Sequence, residues 1–270
     1  MAMSRQEIIL ENLERRGACS YQELADRLGV STMTVRREID RLASRGAVIK
    51  TLGGAQNATA RAGDYETDVG SRLSLHLPEK RAIAARALEL IRPGQTIFLD
   101  PSTTCLELAK LLARRVQGVT IVTNSALACL ELGRGTQNTI LGIGGQYDPA
   151  SGAFVGLAGE EAADRFFVDR AFVSTKGFVP AEGTFESAIA TIRVKQVVAR
   201  RCSELVLLAD HSKFGLRALC KVLDSGQIHT VVTDSGVAAA DLRQLELAGK
   251  QIQVAEIPQE FPAVEDAHVP

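Results

Sequence analysis

The 270-residue chain has no tryptophan, three tyrosines and nine phenylalanines, so aromatics make up only 4% of it. Single-stranded nucleic acid is held by stacking bases on aromatic platforms, and a chain this poor in rings is a weak candidate for that mode. Long apolar runs are missing too. No stretch approaches the ~20 residues that span a bilayer, and the N-terminus reads as a charged amphipathic helix rather than a secretory signal. We therefore expect a cytoplasmic protein with no membrane partner. Cys19, Cys105, Cys129, Cys202 and Cys220 are scattered, with no Cys-x-x-Cys pair and no histidine cluster nearby, so neither a disulfide framework nor a zinc site is suggested. His76, His211 and His229 lack the spaced partners that a metal requires, and no cofactor is expected. A net charge of −1 does not suit a nonspecific architectural DNA protein.

What the chain does have is 46% hydrophobic residues, over a length that allows one small and one large domain, each with its own core. Near the N-terminus apolar residues recur at helical spacing in three stretches: Ile9 and Leu13, then Leu24 and Leu28, then Val35, Ile39 and Leu42. Gly29 follows the second stripe where a left-handed residue would end a helix, and Ser31 or Thr32 can cap the next through a hydroxyl. With the third stripe facing inward, Ser31, Thr32, Thr34, Arg36 and Arg37 lie at the start of that helix and largely on its other faces. A recognition helix presents this part to base edges. Guanidiniums fork onto guanine or phosphate, hydroxyls bond bases or touch a thymine methyl, and the helix start itself favours an anion. After Gly46, the run Ala47 to Gly54 reads as two short strands or a ribbon ending in a Gly-rich turn, a wing carrying Lys50 and Thr51. Residues 1–61 hold ten Lys/Arg against seven Asp/Glu, the sign that phosphate binding requires. A plain three-helix bundle with solvated arginines is the alternative reading.

We place the DNA-binding domain at residues 1–57, a linker at 58–77, an effector domain at 78–257 and a C-terminal tail at 258–270. In the effector domain short apolar runs alternate with helical stretches. Strands are expected over Thr96 to Asp100, Val119 to Thr123, Thr139 to Ile143, Arg170 to Ser174, Leu205 to Asp210 and Thr230 to Thr233. Helices are expected over Glu79 to Ile91, Thr104 to Arg114, and near 157–166, 187–202 and 237–248. Such alternation makes an α/β fold with a mostly parallel sheet covered on both faces, and it puts any ligand at the carboxyl ends of the strands.

Polar residues fall at those ends. Asp100-Pro101-Ser102-Thr103-Thr104 closes one strand and opens a helix, where hydroxyls and free N–H groups suit a phosphate. Ordinary capping explains the same residues equally well, with Thr104-x-x-Glu107 fitting a capping box. Thr123-Asn124-Ser125 ends the next strand in the same manner. Gly144-Gly145 ends another, where the missing side chains admit a ligand or a neighbouring backbone, and a plain turn explains the pair equally well. Asp169, Lys176, Lys195, Asp210 and Lys213 add charges near expected strand ends or near the helix starting by Ser187. Each alone is more often solvated or paired, but together they suit a phosphorylated polyol.

Arg5, Ser20-Tyr-Gln-Glu-Leu-Ala, Ser31-Thr-Met-Thr-Val-Arg-Arg-Glu-Ile-Asp-Arg-Leu and Gly53-Gly54-Ala, in that order, resemble the DNA-binding domain of DeoR-family bacterial transcription regulators. Phe98-Leu-Asp-Pro-Ser-Thr-Thr, Val122-Thr-Asn-Ser, Gly142-Ile-Gly-Gly, Asp169-Arg-Ala-Phe, Arg193-Val-Lys195 and Leu208-Ala-Asp-His-Ser-Lys213-Phe resemble that family's effector domain. The resemblance implies a winged helix-turn-helix, with Ser31 to Arg37 on the recognition helix and Lys50 and Thr51 on the wing. It further implies a ribose-5-phosphate-isomerase-like sensor of a phosphorylated sugar or sugar derivative. On that likeness Ser102, Thr103 and Thr104 take the phosphate, Asp100, Asn124, Asp169 and Lys195 contact the polyol, and Gly144 and Gly145 shape the pocket floor. The chain departs from the family pattern at three places. Pro101-Ser102-Thr103-Thr104 stands where a Gly-Thr-Thr loop is common, His76 where an Asn often follows the early Arg, and Thr191 where an acid often precedes the Val-Lys pair. These changes bear on which effector is bound and leave room for a sugar acid phosphate.

The expected function is that of a repressor of a carbohydrate catabolism operon. Its partners are double-stranded operator DNA, further copies of itself in a dimer or tetramer, and a phosphorylated sugar or sugar-acid effector that releases it. The alternative is a sugar-phosphate isomerase with an appended DNA-binding domain, using Asp100, Asp169 and Lys195 for acid–base chemistry. No residue is forced by spacing onto a substrate α-proton, so we assign no catalytic residue and do not expect an enzyme.

Overall fold

Amphipathic stripes set the first three helices of the computed structural model, which describes residues 4–16, 18–45, 47–50, 53–57, 69–135 and 137–258. Thr51, residues 58–68 of the expected linker and residues 259–270 of the expected tail lie outside that set. By its contacts the chain divides into two units, Met1–Arg72 and Leu73–Pro270.

The first unit runs α1 (Arg5–Arg16), β1 (Ala18–Ser20), α2 (Tyr21–Leu28), α3 (Thr32–Ser44), β2 (Val48–Lys50) and β3 (Gly54–Asn57). Ile9, Leu13, Leu24, Val35 and Ile39 meet in one core with Val48 and Ala55, so the three sequence stripes do share a centre. The strands form an antiparallel sheet in the order β1-β3-β2, and β1 is an addition to the expected ribbon. Gly54 explains how β1 joins: a Cβ there would sit 2.0 Å from the Cys19 carbonyl oxygen, so only glycine allows this approach.

Helix α4 (Val69–Ser74) spans the division, and in the second unit α5 (Leu77–Leu88), β4 (Thr96–Leu99), α6 (Thr103–Arg115), β5 (Thr120–Thr123), α7 (Ala126–Leu132) and β6 (Thr139–Gly142) come first. Next are β7 (Gln146–Asp148), β8 (Ala153–Val155), α8 (Leu157–Ala163), β9 (Val168–Val173), β10 (Gly177–Val179), β11 (Gly183–Glu186) and α9 (Ile189–Arg200). The last elements are β12 (Cys202–Leu208), β13 (Cys220–Asp224), β14 (Thr230–Asp234), α10 (Ala239–Leu247) and β15 (Gln251–Ala255). Seven strands pair in the order β15-β14-β12-β9-β4-β5-β6, every neighbour parallel.

Both faces of this sheet are buried, which is why its central strands read as continuous apolar runs. Phe98, Leu205 and Leu207 enter one core with Ile192 and Val198 of α9. Their strand neighbours Ile97, Leu99, Val206 and Leu208 enter the other, against Ile83 of α5 and Leu108 and Leu112 of α6. Two antiparallel pieces were not expected from the sequence, the β7–β8 hairpin and a sheet in the order β10-β11-β13.

From β4 the chain steps outward to β5 and β6, then returns to lay β9 on the other side of β4 before moving out to β12, β14 and β15. The strand order reverses between β4 and β9. A crevice opens beyond the carboxyl ends of strands at such a reversal, and open parallel sheets bind ligands there.

Candidate nucleic-acid interface and strand-end cleft

The turn between α2 and α3 is built from local hydrogen bonds. Ser20 caps α2 by accepting from the Glu23 amide at 3.1 Å, while the Glu23 carboxylate accepts from the Ser20 amide at 2.7 Å. This capping box is written in the sequence as Ser-x-x-Glu. Gly29 closes the helix in the left-handed region (φ 63°), its N–H donating to the Ala25 and Asp26 carbonyls. Ser31, not Thr32, caps α3: its hydroxyl accepts from the Thr34 amide at 3.3 Å and lies 3.0 Å from the Thr34 hydroxyl.

On α3 the side chains singled out from sequence differ in their freedom. The Arg36 guanidinium lies 4.8 Å from the centroid of the Tyr21 ring, a cation–π contact that fixes where its donors sit. Lys50 on β2 reaches back to Asp40 at 2.5 Å, and that hydrogen bond raises the Lys50 ammonium above its ordinary range. The wing lysine is thereby tied to α3. Arg37 is exposed and has no partner among the described residues. Glu38 secures the helix from behind, accepting from Gln6 of α1 at 2.7 Å and from Arg41 at 3.0 Å.

At the sheet reversal, Asp100 follows β4 and is 2% exposed. One carboxylate oxygen accepts from the Ser102 amide at 3.0 Å and the other from the Ser174 amide, beyond β9, at 2.8 Å. Lys195 of α9 stands 3.3 Å from Asp100 and donates to Glu186 and to the Ser174 carbonyl, each at 2.6 Å. Burial alone would lower the Lys195 pKa, but Glu186 and Asp100 outweigh it and hold the ammonium well above its ordinary range. Glu186 went unnoticed in the sequence. Its pairing crosses the corner from β11 into α9, whereas Thr191, the departure from the family pattern, turns its hydroxyl onto the Ala188 carbonyl at 3.0 Å. The carboxylate facing Lys195 thus comes from five positions earlier than the family pattern suggests.

Ser102 caps α6 by accepting from the Cys105 amide at 3.1 Å, so the expected Thr104–Glu107 box does not form. Glu107 instead pairs with Lys110 at 2.6 Å and Arg81 at 3.5 Å. Thr103 and Thr104 occupy the buried first turn of α6. Beside them, the Thr123 hydroxyl donates to the Leu99 carbonyl at 2.7 Å and Ser125 caps α7. Asn124 donates to the Phe154 carbonyl at 3.0 Å, yet its side-chain oxygen, on a residue only 1% exposed, has no partner among the described residues. An unpaired buried acceptor costs about 1–3 kcal/mol, a cost that a bound hydroxyl would remove. Of the two pocket glycines, Gly144 has open space where a Cβ would stand. At Gly145 a Cβ would meet the Val155 carbonyl at 2.6 Å, so that glycine serves the fold's own backbone.

Asp210 and Lys213 follow β12 and lie 3.9 Å apart. Burial would raise the Asp210 pKa, but Lys213, Ser212 and His76 outweigh it and hold the carboxyl below its ordinary range. His211 is fixed by Asp234, the last residue of β14, with Nδ1 2.8 Å from the carboxylate. His76 meets His211 edge-on at 5.8 Å and takes a left-handed backbone (φ 52°), a conformation that Asn and His tolerate better than most residues. Lys176 lies in the loop between β9 and β10. Asp169 is a correction: it stands at the start of β9, where it accepts from the Thr96 amide at 2.7 Å, and so lies at the amino end of the sheet. The strand begins two residues earlier than expected. His229 likewise serves the fold, accepting from the Leu205 amide at 3.0 Å.

A helix-turn-helix with an antiparallel ribbon, on the same chain as a parallel α/β unit with a buried polar cluster at the carboxyl ends of its strands, defines a DNA-binding regulator with a separate sensing unit. Residues 5–61 match the DeoR-like helix-turn-helix domain and residues 75–235 the DeoR C terminal sensor domain, and the chain belongs to the DeoR family. It is similar to the lactose phosphotransferase system repressor of Lactococcus lactis, 31% identical over 89% of this chain and 94% of that protein. It is similar as well to the HTH-type transcriptional regulator IolR of Bacillus subtilis, 30% identical over 86% of this chain and 91% of that one. A third relative is the HTH-type transcriptional regulator GolR of Listeria innocua, 29% identical over 93% and 98%. Among solved structures, ribose 5-phosphate isomerase A of Methanocaldococcus jannaschii aligns with 52% of this chain and 55% of its own at 17% identity and a TM-score of 0.40. No helix among the described residues is long and apolar enough to cross a membrane.

Proposed function

We propose that this regulator is a repressor of a carbohydrate operon, and that a phosphorylated sugar or sugar derivative bound in the strand-end cleft loosens its hold on the operator. The observation that carries this reading is the unpaired Asn124 oxygen, just past the end of β5, whose neighbour β4 leads through Asp100 into the first turn of α6. The hydroxyls of Ser102 to Thr104 and the first-turn amides of Thr103 and Thr104 suit the phosphate. Asn124 and the charged cluster suit polyol hydroxyls. That relatives are named as repressors of a lactose phosphotransferase system and, in Escherichia coli, putatively of an aga operon supports a carbohydrate connection. The effector can shift the equilibrium only by its differential affinity for the DNA-bound and released states. We take the working form to be a dimer or tetramer on repeated half-sites, with the domain limits given at the outset.

An isomerase reading requires a base with a free lone pair aimed at a substrate proton. Asp100 spends both oxygens on backbone amides and Lys195 is held as a cation, so the cluster is suited to orienting a ligand. The test is an operator titration in the presence of candidate sugar phosphates. At least one should weaken binding, and unchanged affinity with all of them would end the proposal.

A further inference from the structure

Successive residues on α3 turn by about 100°, and the buried Val35, Ile39 and Leu42 mark its inner face. In the first turn, the residue pointing most directly away from that stripe is Met33, 60% exposed. It is the only exposed large apolar side chain among those described in the N-terminal unit, most of the others lying in or against the core. One turn further along the same face stands Arg37, without a partner among the described residues. Their neighbours are engaged: Arg36 on Tyr21, Asp40 with Lys50, Arg41 with Glu38, and Ser31 with Thr34. The outward ridge of the recognition helix therefore carries two unengaged side chains, one apolar and one cationic. The major groove offers matching features, the thymine C5-methyl and the O6 and N7 acceptors of guanine.

We propose that Met33 reads thymine methyl groups in the operator's major groove, beside an Arg37 contact to guanine or phosphate, and is thus a specificity-determining residue of the DNA-binding unit. A reading of this helix through hydroxyls and guanidiniums alone passes over it. The proposal rests on the DNA-binding reading and is independent of what occupies the effector cleft.

The full-length chain first selects its preferred duplex from a random pool, and each thymine of that duplex is then replaced in turn by uracil, which deletes only the methyl. The wild type should lose about fourfold in affinity at one or two positions, since one buried methyl is worth ~0.8 kcal/mol. Met33→Ala, with an unchanged melting profile, should bind the thymine duplex more weakly and no longer distinguish uracil at those positions. Met33→Leu should keep the distinction. The proposal fails if Met33→Ala discriminates as the wild type does, or if the wild type discriminates at no position. Failure of the wild type to enrich any duplex would overturn the DNA-binding reading along with it.

Discussion

Replacing Lys195 with methionine removes an ammonium while keeping the length of the side chain, and it leaves Asp100 and Glu186 facing each other without a cation. Asp100 is 2% exposed, and the Lys195 side chain contacts both carboxylates and the Ser174 carbonyl. Breaking a buried ion pair by deleting one partner costs about 3–5 kcal/mol. For a domain of this size, with Tm falling about 2–4 °C per kcal/mol, that is roughly 6–20 °C. The sign with pH can be worked out from the same geometry. In the wild type the folded-state pKa of Lys195 lies above its ordinary 10.5, so its contribution is complete below 10.5 and is lost only as pH rises through the folded value. Between about pH 5 and pH 8 the lysine itself adds no slope. Thermal melts of the full chain within that range measure the deficit. A deficit under about 1 kcal/mol would refute the idea that this lysine is held by paired carboxylates in a dry site.

Three further outcomes are expected. Arg37→Ala should relax sequence preference, whereas Arg36→Ala, which removes a guanidinium already anchored on Tyr21, should weaken binding to all duplexes and lower the salt slope by about one; salt-dependent binding to matched and mismatched duplexes separates them. Asn124→Leu fills the position without an acceptor and should abolish the thermal stabilisation that sugar phosphates give the wild type, while the unliganded protein keeps its melting temperature within a few degrees. Asp210, whose folded-state pKa is depressed, contributes stability that is present above its ordinary 3.8 and lost as pH falls through the folded value; denaturant titrations should therefore show wild type and Asp210→Asn converging in strongly acid solution.

The DNA-binding unit was legible almost residue by residue, because Val35, Ile39, Leu42, Gly29 and Ser31 each act through neighbours within one helical turn. The parallel strands were legible because burial on both faces leaves uninterrupted apolar runs such as Ile97 to Leu99 and Leu205 to Leu208. Short antiparallel strands were not. β7, β8 and β10 hold three residues each, too few for a period to declare itself, and the alternating Gln251-Ile-Gln-Val reads as a strand only once it is seen as a sheet edge. Asp169 was misplaced because an apolar run does not reveal where its strand begins, and that decides which end of the sheet a flanking charge occupies. Glu186 and Asp234 were missed for a different reason. Their partners, Lys195 and His211, become neighbours only when a strand turns into a helix or two strands align.

The strands that frame the cleft lie far apart along the chain, with Asp100 bonded to Ser174 and Lys195 later still. A ribosome finishes the helix-turn-helix and its ribbon at Asn57, some 138 residues before it supplies Lys195, and at about 5–20 residues per second this is a gap of roughly 7–28 s. Throughout that interval a nascent chain owns a complete helix-turn-helix and only part of the domain that follows it, so the small unit has its full sequence long before the larger sheet can close.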